Sequence, residues 1–177
     1  MDPQKYKIFV ENSAFYPKIS KSRDLSYLFL GLVEEVGEIL EILDENDSFN
    51  DIIKECGDVL WYATAMSNVI EYDLYQGVDV EANVAKDCIS DDKSSVELFT
   101  SLSKIAGPIK KSIRDNHGNM TDTRLDQIKS ALDEILQSII NILHKLNISI
   151  LEALRVNYEK ITSRQTRGKM RGDGNDR

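Results

Sequence analysis

Residues 28–62 read LFLGLVEEVGEILEILDENDSFNDIIKECGDVLWY, and the spacing of their apolar positions decides the fold. Leu25, Phe29, Leu32, Val36, Leu40 and Leu43 recur at helical intervals, and so do Ile52, Cys56, Leu60, Ala63, Ser67 and Ile70. The polar run Glu45-Asn46-Asp47-Ser48 separates the two segments, which predicts a helical hairpin, with Ser48 and Asp51 placed as a capping box for its second arm.

The acids lie on definite faces of that hairpin. At about 100° per residue, Glu35 and Glu38 flank the stripe centred on Val36, and Glu55 and Asp58 stand at the same offsets from Cys56. Arms packed through their stripes would point four carboxylates into one cleft. Acids spaced this way are ordinarily a solvated face, and Glu41 and Glu45 extend the acidic run on the first arm. On the second arm, however, Tyr62, Met66 and Val69 share the flank of Glu55 and Asp58. Carboxylates crowded on a partly apolar flank repel one another and lose hydration unless a cation joins them. Oxygen ligands without sulfur or imidazole suit a hard ion, Mg²⁺ or Mn²⁺.

The pattern Glu34-Glu35-x-x-Glu38, a gap of sixteen residues, then Glu55-x-x-Asp58 resembles the all-α nucleoside triphosphate pyrophosphohydrolases. That superfamily includes the MazG proteins, dimeric dUTPases, dCTP pyrophosphatases and phosphoribosyl-ATP pyrophosphohydrolase. Gly31-Leu32-Val33 before the first cluster and Val59-Leu60-Trp61-Tyr62 after the second follow the same style. The resemblance implies Mg²⁺ on Glu35, Glu38, Glu55 and Asp58, with Glu34 orienting or deprotonating the attacking water. Trp61 and Tyr62 follow Asp58 directly and read either as core aromatics or as a stacking surface for a base.

Composition bounds the alternatives. A chain of 177 residues with 41% hydrophobic residues, nine Gly and three Pro suits one helical domain. A net charge of −8 argues against a duplex nucleic-acid binder with a broad basic surface. An acidic protein that handles nucleotides needs a cation to bridge to phosphate. No apolar run approaches a membrane span, and the start Met-Asp-Pro-Gln-Lys has no signal-peptide character, so a cytoplasmic location is expected. Cys56 and Cys88 form neither a disulfide framework nor a metal-ligand spacing, and Cys56 falls in the apolar stripe as a small core residue. His117 and His144 are isolated, and no Walker-type phosphate loop or Glu-x-x-His pair is present.

Along the chain, residues 4–14 predict a short helix ended by Tyr16-Pro17, and Lys18–Asp24 a polar loop. The hairpin helices are expected over about Leu25–Asp44 and from Ser48 to about Tyr75, where Gly77 marks an end. A short helix at Val80–Cys88 and a loop at Ser90–Lys93 follow. Helices at about Val96–Asp115 and Arg124–Leu146 then echo the first pair: Leu102, Gly107 and Ile109 match Leu32, Gly37 and Ile39 at an offset of 70. In that echo Lys104, Ile105 and Pro108 replace Glu34, Glu35 and Glu38, with Pro108 set to kink or interrupt its helix. Ala131 and Glu134 fall at Glu55 and Asp58 at an offset of 76. A last helix starts at the box Ser149-x-x-Glu152 and runs to about Ser163. The tail from Arg164 carries five positive and two negative side chains and reads either as a frayed, solubilising end or as a basic segment that meets substrate. Asn157-x-x-Lys160-x-x-x-Arg164 and the ending at Arg177 resemble the C-terminal elements of MazG-type proteins, which implies substrate contacts at Asn157, Lys160, Arg164, Arg167 and Arg177.

The expected architecture is an all-α domain over residues 1–163 with a four-helix MazG-like core, followed by a basic tail at 164–177. Its core is read as a tandem repeat: residues 25–77 catalytic, 96–157 a degenerate copy. The expected reaction is Mg²⁺-dependent hydrolysis of a nucleoside triphosphate, a deoxynucleotide being the expected case, to monophosphate and pyrophosphate, with Mn²⁺ as an alternative ion. The competing readings are a helical scaffold whose acidic face docks a partner, and phosphoribosyl-ATP hydrolysis. Oligomeric state stays open, a homodimer or higher homo-oligomer included.

Overall fold

A computed structural model describes residues 1–45, 49–78 and 91–169. Among these the chain forms six helices and no strand: α1 Pro3–Ser13, α2 Lys21–Glu45, α3 Phe49–Val69, α4 Asp91–Asn116, α5 Asp122–Lys145 and α6 Ile150–Thr166. The all-α expectation therefore holds. No helix among the described residues is long and apolar enough to cross a membrane.

Local chemistry sets most boundaries. Asp2 caps α1, its Oδ1 accepting the Lys5 amide at 3.0 Å, with Pro3 in the first turn. Asp24 Oδ1 accepts the Ile19 amide at 3.0 Å, and the helix starts at Lys21, inside the expected loop. Thr121 caps α5 and Ser149 caps α6, where the Glu152 amide donates to Ser149 Oγ at 3.3 Å. The Glu152 carboxylate turns to Arg155 at 2.6 Å.

Three further expectations change. α3 ends at Val69 rather than near Tyr75. Glu71 adopts φ 56° and the Tyr72 amide donates back to Ser67 O at 2.8 Å, a left-handed helix end. The apolar spacing runs on because Ile70, Leu74 and Tyr75 are buried from a turn, with Tyr75 Oη and Thr64 Oγ1 2.8 Å apart. α4 begins at Asp91, ahead of Val96, so residues 91–93 are helical instead of a loop. It also continues through Pro108 without interruption: Leu102, Ile105, Ile109 and Ser112 are buried on both sides of the proline, in a helix that packs on α5. The expected helix at Val80–Cys88 and the Ser48 cap lie outside the described residues.

Two antiparallel hairpins, α2–α3 and α4–α5, make a four-helix core in which α2 also meets α4 and α3 meets α5. Leu28, Leu32 and Ile39 of α2, Leu60 and Met66 of α3, Ile105 of α4 and Leu132 of α5 are completely buried at its centre. Removing such a side chain costs about 2–5 kcal/mol. α1 and α6 pack on α3, on the face the second hairpin leaves open. That placement brings α1 and α6 to the acidic residues of the first hairpin.

Candidate metal centre and nucleotide cleft

One carboxylate oxygen from each of Glu35, Glu55 and Asp58 lies within 4.8 Å of the others. The helical offsets about Val36 and Cys56 explain this: the stripes pack in the α2–α3 interface, so residues one position before them, and Asp58 two positions after Cys56, meet at its edge. Glu55 is only 3% exposed, and its Oε2 has no hydrogen-bond partner among the described residues. Loss of hydration, then repulsion from Asp58, Glu38 and Glu55, pushes the Glu35 carboxyl up to about 8, against the opposing pull of Lys160. Burial and Asp58 push Glu55 up to about 7. A hydrogen bond with Glu38 adds to that rise, so Glu38 adjoins the three from the rim. Three hard oxygen donors, one of them buried and unpartnered, fit a divalent cation such as Mg²⁺ or Mn²⁺.

The third wall is α6. Gly57 lets it approach: a Cβ there would lie 2.9 Å from Asn157 Cβ and 3.1 Å from Ala153 O. Asn157, completely buried, donates from Nδ2 to Asp58 Oδ1 at 2.6 Å, and the Lys160 ammonium pairs with Asp58 Oδ2. From α1, the Tyr6 hydroxyl donates to Asn157 Oδ1 at 2.7 Å. Asp58 thus has donors on both oxygens.

Beside the carboxylates opens a cleft of about 180 Å³ that reaches Glu35 and Asp58. Its walls are aromatic: Phe15, Tyr16, Tyr27, Trp61 and Tyr62, with Ser13, Ile161 and Arg164 completing the lining. Tyr16 stacks on Tyr27 with centroids 5.2 Å apart, and Trp61 meets Tyr62 edge-on at 5.0 Å. Trp61 Nε1 donates to Ser13 Oγ at 3.2 Å. Gly31 accommodates Tyr62, since a Cβ there would fall 2.2 Å from Tyr62 Cε1. Arg164 carries a buried Nη2 with no partner among the described residues.

Residues 23–88 match the MazG nucleotide pyrophosphohydrolase domain. The match covers both acidic clusters and supports nucleotide pyrophosphohydrolase chemistry in general. The gene 37 protein of Mycobacterium phage L5 is 26% identical over 80 residues, 45% of this chain and 70% of that protein. No solved structure matches. Glu35, Glu38, Glu55 and Asp58 lie within the matched segment, whereas α1, α4, α5 and α6 lie outside it.

The structure gathers Glu35, Glu55, Asp58, Trp61, Tyr62, Asn157, Lys160 and Arg164 around one centre. Glu34 is exposed, outside both the triad of acids and the cleft lining, although its charge reaches Tyr62. Arg167 is exposed and donates from Nε to Ser163 O at 3.4 Å. Arg177 lies outside the described residues. Sequence reasoning missed Tyr6, Phe15, Tyr16 and Tyr27. The available signal was the density of aromatics ahead of the first motif, which read as a helix end.

Proposed function

We propose that this protein is a cytoplasmic, Mg²⁺-dependent pyrophosphohydrolase that converts a nucleoside triphosphate, by preference a deoxynucleotide, to monophosphate and pyrophosphate. The observation that carries the reading is the meeting of Glu35, Glu55 and Asp58 beside an aromatic cleft that Glu35 and Asp58 help to line. A solvated acidic face would not bury Glu55 to 3% exposure, which counts against the scaffold alternative.

Each side chain has a chemical task. Glu35, Glu55 and Asp58 hold the cation, with Glu38 at the rim. When bound, the cation neutralises phosphate oxygens and stabilises the charge that develops on them. Trp61 and Tyr62, joined by Tyr16 and Tyr27, stack on the base. Arg164 supplies a guanidinium to the triphosphate, which answers its unpartnered Nη2, and Lys160 reaches the same phosphates from beside Asp58. Arg167 and Arg177 are assigned to the same phosphates, and Asn157 supports the site from α6. Water attacks the α-phosphorus, the bond to the bridging oxygen breaks, and pyrophosphate leaves. Glu34 takes the proton of that water; its exposure keeps the carboxylate within reach of solvent. The second hairpin is a degenerate copy of the first: at the echoed positions Lys104 and Glu134 pair with each other at 2.6 Å.

A nucleotide panel incubated with Mg²⁺ tests the proposal by separating monophosphate, pyrophosphate and orthophosphate. Stoichiometric monophosphate and pyrophosphate from at least one deoxynucleotide is expected. Orthophosphate release, or turnover undiminished in EDTA, overturns the reading.

A further inference from the structure

We infer that Tyr6 is a positioning residue for the metal centre, acting through Asn157 to set the orientation of the Asp58 carboxylate. The inference rests on the metal reading above, and it assigns a task to α1, which precedes the MazG-matched segment.

An asparagine amide is nearly symmetric in shape. The oxygen and nitrogen ends of asparagine occupy nearly the same space, so packing alone does not choose between its two orientations. Asn157 is completely buried and pressed against Gly57, which holds its stem in place but leaves that choice open. Tyr6 and Asp58 make the choice from opposite sides. The Tyr6 hydroxyl, also completely buried, donates to Oδ1 at 2.7 Å, and Nδ2 donates to Asp58 Oδ1 at 2.6 Å. Asp58 then keeps a fixed plane, with Lys160 on Oδ2, and presents an oxygen toward Glu35 and Glu55.

Removing the Tyr6 hydroxyl leaves Asn157 Oδ1 buried without its donor. A buried acceptor in that condition seeks another arrangement, and any turn of the amide weakens its bond to Asp58. Outer partners of metal ligands typically change affinity by about 10–100-fold. Tyr6 stands one bond further out, so a loss of about three- to tenfold is expected.

The test is calorimetric titration of the full chain with Mn²⁺ alone, beside the melting temperature in EDTA. Tyr6→Phe removes one oxygen and keeps the ring. Tyr75→Phe is its control: that hydroxyl is likewise buried but is paired with Thr64 Oγ1 at 2.8 Å. Both variants should melt lower. Tyr6→Phe should bind Mn²⁺ about three- to tenfold more weakly, and Tyr75→Phe within about twofold of wild type. In an Asn157→Ala background, Tyr6→Phe should bring no further loss. Wild-type affinity in Tyr6→Phe, with Glu55→Gln losing the ion, overturns the positioning role and leaves the metal centre standing. Absence of Mn²⁺ binding in the wild type overturns the metal centre and the inference with it. Should Tyr6→Phe not fold, Asn157→Ala decides: unchanged affinity there breaks the chain of bonds and rejects the inference.

Discussion

Asn157 of α6 and Asp58 of α3 stand 99 positions apart in sequence and share a 2.6 Å hydrogen bond. The bond joins the last helix to the acidic hairpin, so the candidate centre depends on the whole fold rather than on the hairpin alone. It also makes the consequences of disturbing either side measurable.

Metal removal comes first. Activity should vanish in EDTA and return with Mg²⁺ or Mn²⁺. An ion that binds only the folded state stabilises it by about 2.7 kcal/mol at a hundred times its Kd. The melting temperature should therefore rise with Mg²⁺ in the wild type and stay level in Glu55→Gln. Equal rises in both would remove Glu55 from the ligand set.

The metal-free protein should lose stability as pH rises. Burial and neighbouring acids lift Glu35 to about 8 and Glu55 to about 7 from the usual 4.5, so the folded state binds more protons than the unfolded one between those values. The contribution of these groups is fully present below about 4.5 and is lost progressively up to about 8. Melting in EDTA from pH 5 to 8.5 should fall on that account, on the order of a kcal/mol or more per group, and Glu35→Gln should flatten the curve. A slope unchanged by Glu35→Gln would contradict the assignment.

The two hairpins should respond unequally. Asp58→Asn keeps the shape of a side chain paired with Lys160 and Asn157 but removes its charge, and turnover should fall to background. Glu134→Gln loosens a half-exposed pair with Lys104, a change of at most about 1 kcal/mol in stability, and should leave turnover near wild type. Comparable loss of turnover in both would make the second hairpin catalytic and reject the degenerate-copy reading.

Glycine substitutions report the α3–α6 approach. Gly57→Ala puts a methyl 2.9 Å from Asn157 Cβ and 3.1 Å from a backbone oxygen, and should cost about 1–3 kcal/mol while weakening Mn²⁺ binding. Gly37→Ala meets nothing within 4 Å, and should stabilise α2 by up to about 1 kcal/mol. Denaturant melts of the two variants should move in opposite directions.

Chemistry and binding should separate between Glu34 and Arg164. Glu34→Gln should keep Mn²⁺ and nucleotide binding and lose most of kcat, because an amide does not take the proton from attacking water. Arg164→Ala should mainly raise KM, having removed a charge that holds the triphosphate in ground and transition states alike. Loss of the metal in Glu34→Gln would instead make Glu34 a ligand.

Periodicity alone determined the hairpin, the stripes that bury it and the side on which its acids stand, because helix geometry ties residue spacing to direction. Cys56 and Leu60 lie buried where that spacing put them. Spacing reports a face, however, and not how deep the face sits or what lies across from it. Only packing decided that Glu35, Glu55 and Asp58 cluster, with Glu38 at the rim and Glu34 in solvent. Burial of Leu74 and Tyr75 from a turn likewise imitated a longer helix, since the core needs apolar side chains whatever backbone carries them. The return of α6 across Gly57, the Tyr6 hydroxyl beneath Asn157 and the aromatic wall from Phe15 to Tyr27 are contacts between segments distant in sequence. No local pattern encodes such meetings; they exist only once the two hairpins have closed and left one face of α3 for α1 and α6.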